Sequence, residues 1–225
     1  MTKKEKCLER IRYGLNQLVS IKAGYATRQD KQDMILRHFL DRAEQIVQAA
    51  LLIETLATPL QILCRVFCED LFLACWISLS KEAADEYEVG VAAEVAKMMG
   101  VSLTNGWGVI QNRHTKEPVS EGFMQTEVFP KLKALKTPRT NVEQIAQKLG
   151  LQKVYDILYR GASLDLHGNT FGLPDHPGEG ADYAALSAID AILACLISLA
   201  ELPRKPFDAK AILVLMRLER EPSIP

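Results

Sequence analysis

Apolar side chains recur three and four residues apart along most of this chain, which is the repeat of an α-helix with one buried face. The spacing is clearest in one stretch, at Ile35, Phe39, Ile46, Ala50 and Ile53. No run of alternating apolar and polar residues is long enough to indicate a half-buried strand. The sequence therefore predicts an all-α fold, a bundle of about seven to nine helices.

Proline and glycine mark the predicted helix ends. Pro59 begins a helix over 59–80, because a proline in the first turn loses no hydrogen bond that the helix would have made. Gly100 ends an acidic, alanine-rich helix that starts at Lys81. The segment Thr140-Asn-Val-Glu143 has the pattern of a capping box and predicts that a new helix begins there.

The chain is long enough for one large domain. Its 225 residues, of which 48% are hydrophobic, suffice to bury a substantial core. We predict a single domain, 1–225, whose core bundle consists of about 30–100 and 140–203. Residues 101–138 are interrupted by three prolines and are predicted to form an irregular insertion.

Charge and hydropathy bear on the environment of the protein. The net charge of −1 gives no long-range attraction to nucleic acid or to an anionic membrane. The apolar stretches 59–79 and 183–200 are predicted to be core helices and not membrane spans. The first carries charged residues, and the second has only ten uncharged residues between Asp190 and Glu201, whereas a span needs about 20.

The five cysteines are an odd number and do not indicate a disulfide framework. Four of them, Cys64, Cys68, Cys75 and Cys195, lie in apolar runs. Three thiols on one apolar helix lack the paired short loops of a tetrahedral metal site, so we predict buried thiols, no metal and no cofactor. Free thiols also favour a cytoplasmic location.

The predicted helix 59–80 carries a polar stripe in which Arg65 and Glu69 lie one turn apart, followed by Phe72 and Trp76. Residues at this spacing share one face, so we expect Arg65 and Glu69 to form a partly buried ion pair. A buried ion pair rarely adds net stability and requires a further polar partner. We expect that partner on the helix predicted over 151–167.

That later helix carries Tyr155, Tyr159, Arg160, Ser163 and His167, with the last three on one face. His167 is predicted to be its last residue, where the helix dipole favours the imidazolium and brings its titration near neutral pH. A ligand site is one interpretation of this stripe. The other is that His167 only caps the helix while Arg160 forms a surface pair with Asp156.

Over about 59–172 the chain resembles a bacterial family of helical proteins of unknown function. The resemblance is carried by an R-x3-E helix, Leu63-Cys-Arg65-Val-Phe-Cys-Glu69, and by a Y-x3-S-x3-H helix, Tyr159-Arg-Gly-Ala-Ser163-Leu-Asp-Leu-His167. It implies an all-α fold without an established activity.

The spacing Arg160-x6-His167 is also similar to the R-x4-6-H signature of HEPN (higher eukaryotes and prokaryotes nucleotide-binding) ribonucleases. These are small helical enzymes, often dimeric, that need no metal and are common in toxin–antitoxin and phage-defence systems. Gly161 stands where a polar residue commonly follows the arginine. The resemblance implies a metal-independent endoribonuclease with RNA as a partner and a homodimer as its assembly.

In this enzyme hypothesis His167 acts as general acid and base, Arg160 holds the scissile phosphate, and Ser163 orients one of them. Arg65, Glu69 and Tyr159 support them. The alternative is a non-enzymatic interaction or regulatory module that binds a protein encoded nearby. In that module Arg65, Glu69, Ser163 and His167 form a buried network that fixes the helix register.

Overall fold

The structure is a computed structural model, and it describes residues 1–120, 141–161, 180–201 and 208–216. Within these ranges the only β feature is an isolated bridge between Gln111 and Pro118, so the predicted all-α fold is confirmed. The same ranges contain eight α-helices: α1 Lys3–Tyr25, α2 Lys31–Leu52, α3 Ala57–Leu79, α4 Lys81–Thr104, α5 Val142–Lys148, α6 Gln152–Val154, α7 Ala181–Glu201 and α8 Ala209–Leu215. A π-helical turn, Tyr155–Tyr159, follows α6 directly.

The chain divides into two compact units. One consists of Met1–Lys81 together with Thr140–Pro225, and the other of Glu82–Arg139. The expectation of one domain over 1–225 stays a prediction. All residues of the candidate site that the structure describes belong to the first unit.

Four long helices form the core of the first unit. Helix α7 packs against α3 and α1, and α2 packs against the same two helices, which closes the bundle. Helix α3 also packs against α5 and the π-helical turn. Its buried side chains point in several directions, as expected of a helix that is surrounded; they include Leu60, Phe67, Leu71, Phe72 and Ile77.

Helices α1 and α7 pack closely at Gly14. A β-carbon added there would lie 2.8 Å from Cδ2 of Leu193, which is inside van der Waals contact. Two ion pairs join the same helices: Lys4 Nζ lies 2.5 Å from Asp182 Oδ2, and Arg10 Nε lies 2.7 Å from Asp190 Oδ2. The acidic residues that interrupt the apolar sequence of α7 therefore pair with cations of α1.

By length and composition α7 is apolar enough to cross a membrane, and half of its most apolar window is buried inside the protein. A core helix of a helical bundle meets the same criteria. The packing of α7 on α1 and α3 is that of such a core helix.

In the second unit, α4 extends further than predicted. Gly100 lies inside the helix, which ends at Thr104, so the predicted end at Gly100 is wrong. Gly106 has φ of 69°, the left-handed conformation that terminates helices. The backbone N–H of Trp107 then donates to the carbonyl of Ser102 at 2.8 Å. The glycine that terminates α4 is therefore Gly106 and not Gly100.

The predicted capping box is shifted by one residue. Asn141, not Thr140, caps α5, and its side chain accepts a hydrogen bond from the backbone of Gln144. Asn is at least as good a cap as Thr, and glutamine three residues later completes the box as well as glutamate does. After α5 the chain turns at Gly150, where φ is 70°, and enters α6.

Candidate functional site

One side of α3 faces the π-helical turn, and two residues of the predicted polar stripe make the contact. The Arg65 side chain lies over the Tyr159 ring, with Cζ 5.1 Å from the ring centroid, and Nη2 is 3.5 Å from the Tyr159 hydroxyl oxygen. Phe72 packs against Tyr155 with ring centroids 6.4 Å apart. The two motifs of the sequence therefore meet in the structure through these side chains.

The π-helical turn gives this part of the chain a geometry that the predicted helix over 151–167 lacks. The backbone N–H of Arg160 donates to the carbonyl of Tyr155, five residues back, so the turn is one residue wider than an α-helical turn. The rings of Tyr155 and Tyr159 stack with centroids 5.1 Å apart and 19° between their planes. The Arg160 guanidinium carbon lies 5.7 Å from the Tyr155 centroid.

Arg160 lies at the surface. Its side chain is 60% exposed, and Nη1 lies 3.3 Å from Oδ1 of Asp156. The surface pair considered from the sequence is therefore present. An exposed ion pair of this spacing contributes little stability, so the guanidinium is accessible to an anion from solution.

Glu69 occupies the position between Arg65 and Phe72 on the same stripe and is half-buried. The expected ion pair with Arg65 is wrong: in the part of the chain that the structure describes, no ion pair or hydrogen bond joins the Glu69 carboxylate to Arg65, whose Nη2 faces Tyr159 instead. Burial is the main cause that raises the pKa of Glu69, and the neighbouring Asp70 charge adds to it, while Arg65 and Arg42 lower it. The Arg65 charge lowers the pKa of Glu69 by less than burial raises it.

The buried ion pair of α3 involves a residue that the sequence analysis did not single out. Asp70 is only 3% exposed, and its Oδ2 accepts a hydrogen bond from Nε of Arg42 on α2 at 2.9 Å. Burial raises the pKa of Asp70, and the Arg42 hydrogen bond and the His38 charge partly offset that. The sequence does contain a signal for this pair, because Asp70 lies inside an apolar helix and aspartate is almost never fully buried unless it is paired.

The remaining predicted site residues, Ser163 and His167, lie outside the described residues. The structure therefore brings together Arg65 and Tyr159 by direct contact and places Arg160 next to them through Tyr155. Glu69 lies on the same side of α3. Tyr155 and Phe72 complete this group and were not predicted as site residues.

All five cysteines are free and buried. A hydrogen bond that the Cys68 thiol donates to Cys64, together with burial, raises the pKa of Cys68; burial raises that of Cys75, and burial raises the pKa of Cys195 to about 12. Such thiols are poor nucleophiles because the thiolate is the reactive form. Among the described residues, no group of three or more His, Cys, Asp or Glu side chains is placed to hold a metal ion.

A family of unknown function (DUF5677) matches residues 33–182, which is more than half of the chain. The chain belongs to this family. The DUF5677 match begins in α2 and ends at the start of α7, so it includes α3 and the π-helical turn. No curated protein and no solved structure matches the chain.

Proposed function

We propose that this DUF5677 protein is a metal-independent, HEPN-like endoribonuclease of a toxin or phage-defence type. The observation that supports it is the exposed guanidinium of Arg160, held next to a stacked tyrosine pair by a π-helical turn. π-Helical turns occur frequently at functional sites. A guanidinium donates two parallel hydrogen bonds to a phosphate, which makes arginine the preferred residue for binding it.

In the proposed reaction the ribose 2′-oxygen attacks the adjacent phosphorus while its proton passes to a general base. The bond from phosphorus to the 5′-oxygen breaks, and a general acid gives that oxygen a proton. The products are a 2′,3′-cyclic phosphate and a 5′-hydroxyl. Arg160 stabilises the charge that develops on the phosphate, and His167 transfers protons.

One histidine supplies only one of the two proton-transfer groups. We therefore propose a two-fold dimer, in which a second copy provides the other Arg160 and His167. The mass of the purified protein in solution, measured by light scattering, tests this step. A protein that cleaves RNA as a monomer contradicts the dimer and leaves the proposed chemistry intact.

The activity is tested with purified protein and RNA in the presence of a chelator. Wild-type protein is expected to leave 2′,3′-cyclic phosphate ends, which mass spectrometry identifies. His167→Ala is expected to lower the cleavage rate about 10²–10⁴-fold, and Arg160→Ala about 10²–10³-fold. Arg37→Ala, which removes an exposed arginine on α2, is the matched control and should cleave like the wild type.

A growth assay tests the toxin or defence role separately. Induced wild-type protein should slow bacterial growth, and folded His167→Ala protein should not. Absence of cleavage together with growth unaffected by the wild type contradicts the proposal. A His167→Ala protein that does not fold assigns that residue a structural role.

The contact between Arg65 and Tyr159 favours a second candidate function, a non-enzymatic interaction or regulatory module. A half-buried arginine that joins two helices fixes their relative register whether or not chemistry occurs. In this case the protein binds a protein encoded nearby. Co-expression with the product of a neighbouring gene, followed by size-exclusion chromatography, should then give one stable complex from wild type and from Arg160→Ala protein alike.

A further inference from the structure

The side chains of Tyr155 and Arg160 meet only because the turn between them is π-helical. In an α-helix, residues follow one another by about 100°, so a residue five positions later points about 140° away from the first. The wider turn returns the fifth residue to the side of the first. As a result, two consecutive residues, Tyr159 and Arg160, both contact the Tyr155 ring.

The Tyr155 ring is itself held in place from the core. Phe72 of α3 packs against it, and Tyr159 stacks on it while being covered by Arg65. A continuous set of side-chain contacts therefore runs from the buried helix α3 to the surface guanidinium. In the described part of the chain, Arg160 also contacts the side chain of Asp156, which is 45% exposed and holds a cation only weakly.

We propose that Tyr155 is a positioning residue for Arg160, and that the π-helical turn exists to bring the two together. This inference rests on the proposed function, because the value of a positioned guanidinium lies in the phosphate it binds. The ring face attracts the cation, while the Arg160 side chain stays 60% exposed. Its N–H groups, which are the groups that bind a phosphate oxygen, therefore remain accessible from solution.

The first test needs no activity. Protein labelled with ¹⁵N in its arginines gives a signal for each side-chain Nε–H, and the Arg160→Lys variant identifies that of Arg160. A proton over an aromatic face is shifted to lower frequency, so we expect this shift in the wild type and in Tyr155→Phe. We expect its loss in Tyr155→Leu and its retention in Tyr13→Leu, which removes an exposed tyrosine of α1.

The second test is a double-mutant cycle on RNA cleavage. Tyr155→Leu is expected to lower kcat/KM about twofold to fivefold, the range of an exposed cation–π contact, and Tyr155→Phe should leave it unchanged. In the Arg160→Ala background, Tyr155→Leu should cause no further loss. A purely structural effect of Tyr155 would lower the rate by the same factor in both backgrounds.

The outcomes separate this inference from the proposed function. An unshifted Arg160 signal, or equal losses in the two backgrounds, overturns the role of Tyr155 while cleavage by the wild type still supports the enzyme. If the wild-type protein has no ribonuclease activity, the proposed enzyme and this inference are both wrong, even if the Arg160 signal is shifted. Thermal melting of Tyr155→Leu identifies a folding defect, in which case the cycle is run with Tyr155→Met, whose long side chain occupies much of the same space without an aromatic face.

Discussion

Arginine side chains make contacts on two sides of helix α3, and the two contacts are of different kinds. Toward α2, Arg42 donates directly to a carboxylate, Asp70, that is only 3% exposed. Toward the π-helical turn, Arg65 lies on the ring of Tyr159, and the nearby carboxylate of Glu69 is half-buried. On the first side a hydrogen bond joins the cation to a buried carboxylate. On the second side an aromatic face holds the cation, so removing that arginine leaves no paired carboxylate without its hydrogen-bond donor.

The largest effect is expected at the α2 side. Arg42→Met leaves Asp70 buried without its hydrogen-bond donor, and breaking a buried pair typically costs about 3–5 kcal/mol. Because the Arg42 side chain is 43% exposed and water screens its charge, we expect a loss of about 1–3 kcal/mol in the free energy of unfolding by urea. Arg37→Met on the same helix is the control and should change it by less than about 0.5 kcal/mol.

A smaller loss is expected at the other side. Arg65→Met removes the cation from the Tyr159 ring, a contact that contributes about 0.5–1 kcal/mol, and methionine preserves much of the packing. Urea unfolding measured alongside Arg42→Met gives the comparison directly. A loss from Arg65→Met that equals or exceeds the loss from Arg42→Met contradicts the distinction between the two sides.

Glu69 should make stability depend on pH. Its pKa is raised in the folded protein, so the folded state keeps a proton that the unfolded chain has already released. Its contribution is most favourable below the ordinary glutamate pKa and declines as pH rises through the raised value. Relative to the wild type, Glu69→Gln should therefore gain stability as pH rises above the ordinary glutamate pKa, as thermal melting at a series of pH values would measure. A difference that falls with rising pH shows that Arg65 outweighs burial, and a constant difference shows that the two effects balance; either result contradicts the prediction.

The smallest effect is expected at Asp156. Asp156→Asn removes the exposed partner of Arg160, and a helical surface pair contributes about 0.3–0.5 kcal/mol. Melting should shift very little, and binding of a non-cleavable 2′-O-methyl RNA should strengthen slightly because the carboxylate no longer competes for the guanidinium. Weaker RNA binding would assign Asp156 a direct role in holding Arg160.

The helices of the core followed from local sequence signals. Pro59 lies in the first turn of α3, and Gly150 ends the segment that begins with α5. Proline fixes its own φ and lacks an N–H, and glycine adopts a positive φ without strain, so both act locally whatever surrounds them. Gly100 shows the limit of this rule. A glycine inside a helix costs only about 1 kcal/mol, so α4 continues past it to Thr104.

The site was only partly predictable. The spacing of Arg65 and Phe72 was enough to expect that this face of α3 meets the later helix. Asp70 was missed because its partner Arg42 is 28 residues away on another helix, and no local pattern links them. The π-helical turn was not predicted. Its defining hydrogen bond, from the N–H of Arg160 to the carbonyl of Tyr155, spans five residues, whereas the predicted faces assume the four-residue hydrogen bonds of an α-helix.

The pairing of α1 with α7 has a consequence for the order in which the chain folds. Lys4 and Arg10 bind residues 178 and 180 positions later. At a synthesis rate of about 5–20 residues per second, α1 waits about 10–40 s on the ribosome before its partner emerges. Until then its buried side chains, among them Cys7, Leu8, Ile11 and Leu18, have no complete surface to pack on. Helix α1 can thus complete its packing only after α7 has been made, and nascent chains should be most dependent on chaperones before α7 leaves the ribosome.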